Sequence, residues 1–273
     1  MKILIFGASG YAGSKIREML LTEYNNVYGT YFTKSKDYEN DRFMFQYELG
    51  DEEALKQILD VLDPDIVISS LTGEFSLILS SHKIIADFLA EKQNKRIIFI
   101  STSNVYDGSL KEVHTELDIP KAESEYGKFK IECENVLLNR LGENTIIIRV
   151  PEIWGIDCPR IQKFKGNISN QLPIQTFENI YVNYTTNKQI AQWILYIIKN
   201  DLKGTFHVGS KDICEYIEFQ NLLYKRLNLS TPLYNIKKFD TKLYQAVLPN
   251  RKEIPEYLQR SILEIIDEIT DDK

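Results

Sequence analysis

Up to residue 150 the apolar residues of this chain alternate between two habits. Short continuous runs occupy residues 2–6 (KILIF), 26–32 (NVYGTYF), 43–49, 64–71 (PDIVISSL), 97–100 and 145–150 (TIIIRV). Runs of this length, rich in Ile, Val and aromatics, predict buried strands. Between them apolar positions recur at helical spacing: Ile16, Met19, Leu20 and Tyr24, then the stretch DEEALKQILDVL with Asp51 near its start, then Leu79, Ile84, Ile85, Phe88 and Leu89. A further long amphipathic helix begins at Tyr126. Strand and helix in this rhythm predict βαβ units, and so an α/β protein built on a doubly wound parallel sheet. Ligands of such sheets bind beyond the carboxyl ends of the strands.

After Arg149 the rhythm changes. PEIWGIDCPRIQKFKGNISNQLPI reads as loop, interrupted by its prolines and glycines. A helix follows (KQIAQWILYIIKN), then a short strand (GTFHVGS), then another helix (CEYIEFQNLLYKRL). The expectation is a dinucleotide-binding domain over residues 1–150 and a smaller, mainly C-terminal α/β substrate lobe over 151–273, with some exchange of a strand or helix between them.

The first turn carries GASGYAG, which places Gly7, Gly10 and Gly13 between a strand and a helix. This arrangement aims backbone N–H groups and a helix N-terminus at a pyrophosphate. Gly7 suits the tight turn, Gly10 the approach of the phosphates, and Gly13 the packing of helix on strand. A glycine turn with no ligand is the plainer reading, but the position directly between strand and helix favours the dinucleotide. The second strand runs out through Thr30, Tyr31, Phe32, Thr33 and Lys34, with no carboxylate to hold a ribose diol. Lys34, and Lys36 beyond it, would suit a 2′-phosphate, so NADP is expected over NAD, with NAD kept as an option.

The run at 97–100 ends in the hydroxyls of Ser101, Thr102 and Ser103. Tyr126 and Lys130 lie four residues apart, on one face of the helix that follows. A hydroxyl facing that pair completes a set able to move a proton to or from a carbonyl or alcohol oxygen, the lysine charge lowering the tyrosine pKa. The spacing alone says little, because it recurs at Tyr11/Lys15, Tyr184/Lys188 and Tyr234/Lys238. The context of strand, hydroxyl cluster and helix singles out Tyr126.

Composition narrows the rest. A hydrophobic content of 43% with 26% charged residues is that of a soluble globular chain, and a net charge of -6 argues against general nucleic-acid binding. Cys133, Cys158 and Cys214 are far apart and lack metal-ligand spacing, and the three histidines are scattered. Reduced thiols, no metal and a cytoplasmic location are expected. No run approaches the length of a membrane span, and no leader is read at the N-terminus.

These motifs, taken in order, resemble the extended short-chain dehydrogenase/reductases, and within them the dTDP-4-dehydrorhamnose reductase-like, sugar nucleotide-binding branch. The residues that carry the resemblance are GASGYAG, YELGDEEAL, ISTSNVYDG, EYGKFKIECE, IIIRVPEIWG and GTFHVGS. The resemblance implies a Rossmann-type fold and NADP-dependent reduction of a keto group on a nucleotide-linked deoxysugar, in surface-polysaccharide biosynthesis. It implies Thr102 on the substrate carbonyl, Tyr126 as general acid, and Lys130 on the nicotinamide ribose. Cofactor contacts would come from Gly7, Ser9, Gly10, Tyr11, Ala12 and Gly13 in the first turn. Others would come from Tyr31 and Lys34, from Glu48 and Leu49 beside the adenine, from Ser70, Leu71 and Thr72, and from Val150. The fourth catalytic position of the family, usually asparagine, falls at His82. Glu152 stands where a tryptophan is expected, with Trp154 two residues on. Asn183 and Arg251 complete the candidate substrate residues, and a homodimer is compatible with the branch. Ser103 and Asn104 occupy the positions where related dehydratases carry Asp-Glu, which disfavours elimination chemistry. A nucleotide-sugar epimerase and a non-catalytic NADP-binding regulatory subunit stay as alternatives.

Overall fold

A computed structural model describes residues 1–33 and 36–271. The expected α/β architecture is present. Seven strands form one parallel sheet: β1 (Ile3–Phe6), β2 (Val27–Tyr31), β3 (Met44–Gln46), β4 (Ile66–Ser69), β5 (Arg96–Thr102), β6 (Thr145–Val150) and, much later, β10 (Gly204–His207). Their spatial order is β3-β2-β1-β4-β5-β6-β10. The connections run outward in both directions from β1, so a crevice opens beyond its carboxyl end.

The central strands read as continuous apolar runs because both faces of the sheet are covered. Alternate residues of β1 go to opposite sides: Ile3 and Ile5 pack with α1 (Tyr11–Leu21) and α7 (Asn187–Lys199), through Ile16, Leu20, Ile190 and Trp193. Leu4 and Phe6 pack with α3 (Glu52–Leu62), α4 (Phe75–Ala90) and α5 (Glu125–Leu141), through Leu55, Ile85 and Leu137. A short α2 (Lys36–Glu39) leads into β3. The start of α3 is set by Asp51, whose carboxylate accepts from the Ala54 N–H at 2.9 Å, and Glu52 and Glu53 complement the positive end of the helix.

Residues 151–174 depart from the expected loop. They hold β7 (Glu152–Trp154) and α6 (Pro159–Ser169). Pro159 starts the helix rather than breaking it, since the first helical position needs no N–H donor. The Cys158 thiol caps it, accepting from the Ile161 N–H at 3.3 Å, and Ile161, Phe164 and Ile168 then recur at helical spacing and are buried. β7 pairs in parallel with β9 (Tyr184–Thr186). A second sheet, in the order β11-β8-β12, is formed by β8 (Ile174–Val182), β11 (Cys214–Glu215) and β12 (Tyr234–Gln245). With α8 (Tyr216–Arg226) and α9 (Ile262–Thr270) it encloses a separate core around Trp154, Tyr184, Phe219 and Ile265. The chain thus enters the lobe after β6, returns to the main sheet for α7 and β10, and leaves it again.

Candidate active site

Three segments meet where β5 ends. Thr102 is the last residue of that strand, and its hydroxyl caps a 3₁₀ turn over Ser103–Tyr106, accepting from the Asn104 N–H at 3.2 Å and donating to Asn104 Oδ1 at 3.1 Å. Helix α5 begins beside this turn. Ser124 caps it, accepting from the Gly127 N–H at 3.0 Å. Asp107, just past the 3₁₀ turn, in turn accepts from the Glu123 N–H at 2.6 Å and from the Ser124 hydroxyl. A Cβ on Gly127 would stand 2.3 Å from the Asn104 carbonyl oxygen. Only glycine lets the first turn of α5 sit this close to the strand end, and that approach sets the Tyr126 phenol beside Thr102. Deeper in the helix, Glu134 accepts from Arg149 of β6 at 3.1 and 2.7 Å and from Ser101 of β5 at 2.5 Å. This buried network locks α5 in register with both strands.

Tyr126 is half-exposed to the cleft, and Lys130 is buried one turn behind it. Burial raises the Tyr126 pKa above the usual value of 10.0, while the Thr102 hydroxyl and the Arg160 charge pull it down. The Lys130 ammonium does not sit against the phenol as expected. It donates to the Ile100 carbonyl at 2.9 Å and lies over the Phe99 ring at 4.6 Å, with the Tyr126 ring centroid 5.9 Å away. Burial lowers its pKa to about 8, against the pull of Cys133 and Glu134.

Tyr126, Thr102 and Lys130 line a cleft of about 720 Å³ that runs from the first glycine turn to the second lobe. On its sheet side are Tyr11, Ala12, Ser70, Leu71, Thr72 and Val150. The glycine turn adjoins them. Gly7 has φ +80°, and its N–H donates to the Thr30 hydroxyl at 3.0 Å. A Cβ on Gly13 would stand 2.1 Å from the Gly7 carbonyl oxygen, so helix and strand touch backbone to backbone. Gly10 caps α1 with no side-chain acceptor, and no acid occupies the first turn. The helix therefore opens on N–H groups with no side chain of its own to bond, a cradle suited to a pyrophosphate. Ser9, exposed, donates its N–H to the Thr30 carbonyl at 3.3 Å. Tyr31 is buried at the end of β2 and stacks on Tyr38. Glu48 is exposed after β3, and Leu49 lies against Gly73 at the near end of α4. Lys34 lies outside the described residues.

The other candidates are distributed differently. His82 is fully buried behind the sheet, not in the cleft: its Nε2 pairs with the Ser69 hydroxyl at 2.9 Å, its Nδ1 with the Ile78 carbonyl at 2.8 Å, and its ring meets Phe99 edge-on. Both ring nitrogens are thereby used, and burial pushes its pKa down to about 4. Arg251 also lies apart from the cleft lining. It donates to the Thr205 and Lys203 carbonyls at 2.9 and 3.0 Å and covers Phe206, buttressing β10. Trp154 is buried in the second core, its indole N–H donating to Glu152 at 3.3 Å. Asn183 lines the cleft, but its amide ties Ser210 to Val247. Glu152 lines the cleft beside Arg160, Tyr216 and Gln245. Tyr216 and Gln245 carried no signal in the sequence: one is among 16 tyrosines, and the other ends a strand with no recognised motif.

Among the described residues no helix is long and apolar enough to cross a membrane, and no group of three or more His, Cys, Asp or Glu could hold a metal ion. The chain is 24% identical over 228 residues to the probable low-salt glycan biosynthesis reductase Agl14 of Haloferax volcanii, covering 77% of this chain and 75% of that protein. It is 26% identical over 165 residues to a dTDP-4-dehydrorhamnose reductase of Aggregatibacter actinomycetemcomitans, covering 56% of this chain and 52% of the other. The crystal structure of a dTDP-4-dehydrorhamnose reductase from Bacillus anthracis, in complex with NADP, shares the fold with a TM-score of 0.80 over 98% of each chain, at 19% identity. The family model for the RmlD substrate binding domain matches residues 79–261, from α4 through the cleft to the residue before α9, and with well over half its length in that match the chain belongs to this family.

Proposed function

We propose that this protein is an NADP-dependent reductase of a keto group on a nucleotide-linked deoxysugar, of the dTDP-4-dehydrorhamnose reductase kind, serving surface-polysaccharide biosynthesis. The observation that carries the reading is the convergence of Thr102, Tyr126 and Lys130 on one cleft, next to the bare N-terminus of α1. The names of the two relatives, both reductases, support it.

The geometry supports the roles that the resemblance implies. The turn shaped by Gly7 and Gly13 would seat the pyrophosphate at Gly10 and the N-terminus of α1, with Ser70, Leu71, Thr72 and Val150 flanking the rest of the dinucleotide. When bound, the reduced nicotinamide would supply a hydride to the keto carbon. Thr102 presents its hydroxyl to the keto oxygen, and Tyr126 delivers a proton to it. Lys130, charged at neutral pH with a pKa of about 8, sits beneath and stabilises the phenolate that remains. NADP is favoured because β2 closes on Tyr31 with no carboxylate in the residues up to Lys34. Ser103 and Asn104 offer no carboxylate for elimination. A cytoplasmic location and a homodimeric state complete the proposal.

The test is direct. Purified protein is mixed with NADPH and dTDP-4-dehydrorhamnose, and the loss of NADPH absorbance is followed. Turnover that is much slower with NADH is expected. A protein that neither binds nor oxidises either cofactor would sink the reading.

A further inference from the structure

The Lys130 ammonium is buried with few groups to keep it charged. It donates to the Ile100 carbonyl at 2.9 Å and lies over the Phe99 ring. In such surroundings an ammonium without a counter-charge gives up its proton readily. Reduction through Tyr126 nevertheless needs this lysine charged, to stabilise the phenolate that remains. An opposing charge has to come from nearby.

The elements packed around Lys130 narrow the choice. On α4, burial first and the Lys130 charge second lower the His82 pKa to about 4, so the ring is neutral above that pH, and Lys83 is exposed. The end of β5 offers a carbonyl, a ring face and the hydroxyls of Ser101 and Thr102, none of them charged. β6 brings Arg149, a cation. On α5 itself Tyr126 is a neutral phenol before reaction, and Glu132 is exposed. Burial pushes the Cys133 thiol up to about 12 against the pull of Lys130. That thiol is therefore uncharged where Lys130 titrates, near 8. Glu134 is left.

Glu134 stands one turn beyond Lys130, at i+4 on the same face of the helix, and is only 2% exposed. Its carboxylate is clamped by its neighbours. Arg149 Nε and Nη2 donate to it at 3.1 and 2.7 Å, and the Ser101 hydroxyl donates at 2.5 Å. The third guanidinium nitrogen goes to the Tyr106 hydroxyl, which pairs with His207 Nε2 at 3.3 Å. A charge fixed this way acts on its neighbours through a low-dielectric interior. The geometry points to Glu134 as a positioning residue of the reduction: clamped by Arg149 and Ser101, it holds the Lys130 ammonium charged beneath Tyr126. This rests on the reductase reading above. The effect has a definite sign. Neutralising Glu134 leaves Lys130 with the uncompensated Arg149 charge, so Lys130 loses its proton at lower pH, and the phenolate loses its support on the alkaline side first.

The experiment follows kcat against pH, from about pH 6 to about pH 9.5, with NADPH and dTDP-4-dehydrorhamnose. It compares wild type, Glu134→Gln and Glu134→Asp. The alkaline limb of wild type is expected near pH 8. In Glu134→Gln it should move down by about one pH unit, so that the loss in kcat is about tenfold near pH 9 and shrinks toward pH 6. Glu134→Asp keeps the charge and should restore most of the limb. The neutral pair Glu134→Gln/Arg149→Met avoids an unpaired buried cation and guards against misfolding, and its limb should also lie below that of wild type. NMR of ¹³C-labelled lysine, with Lys130→Arg to assign the signal, reads the same titration with no substrate present. A limb and a Lys130 titration that stay in place in both neutral variants overturn the role of Glu134 and leave the reductase reading standing. So does a loss by the same factor at every pH, the mark of a merely structural lesion. Absence of turnover in wild type with every keto sugar overturns the reductase reading and the part of Glu134 in it, while the NMR titration still decides whether Glu134 holds the charge.

Discussion

Tyr126 and Lys130 lie one helical turn apart, yet their charges are managed separately. The phenol is raised by burial, and the ammonium is spent on the Ile100 carbonyl and the face of Phe99. Lys130 therefore acts from below, where the low dielectric makes its charge count once negative charge develops on Tyr126. Replacing Tyr126 with Phe keeps the ring and its packing near Phe75 and removes only the proton donor. In that variant kcat should fall by about 10²–10⁴-fold, while the NADPH dissociation constant moves by less than about twofold. Steady-state rates beside a fluorescence titration check both numbers, and full activity would remove Tyr126 from the acid role.

At the scale of the element, α1 depends on Gly13. Alanine is the better helix former by about 1 kcal/mol, but here its methyl would stand 2.1 Å from the Gly7 carbonyl oxygen. Backbone cannot yield as a side-chain tip can, so overpacking wins. Gly13→Ala should destabilise the fold by about 2–3 kcal/mol in urea titration and weaken NADPH binding at least about tenfold. The same close contact explains why this region was readable from sequence. A strand such as Ile3–Phe6, buried on both faces, must be continuously apolar, and a helix that touches its backbone must carry glycine. Past Val150 those constraints relax. β12 is largely exposed, so its NIKKFDTK stretch shows no apolar run, and β8 mixes Glu178 and Asn179 into its middle. Pro159 looked like a breaker because a helix N1 position and a loop proline are identical in one dimension. The meeting of Thr102, Tyr126 and Lys130 on one cleft was legible through the order strand, hydroxyl, helix. His82 was not, because helical spacing fixes a face but not whether that face looks onto the cleft or onto the back of the sheet.

Across the whole molecule, two histidines sit deep in the structure far apart in sequence. Burial lowers the His82 pKa from 6.5 to about 4, and burial together with the Arg149 charge lowers that of His207 from 6.5 to about 3. Below pH 6.5 the unfolded chain takes up these protons while the folded protein does not, so stability must fall as the pH drops. The loss from His82 saturates near pH 4 at about 3 kcal/mol, and that from His207 continues to about pH 3. Urea unfolding at stepped pH should show this decline, and His82→Gln should flatten the part between pH 6.5 and 4; a flat profile in the native protein would contradict the burial of both rings.

β10 has a consequence in time as well as in space. Every residue of β6 is buried, and β10 supplies its outer neighbour. On the ribosome, Val150 emerges well before Gly204, so the nascent sheet carries for that interval a buried, largely apolar strand with an unpaired edge. Such an edge invites pairing with another nascent chain. A ribosomal pause between residues 150 and 207 should therefore prolong the exposure of this edge and lower the yield of folded protein.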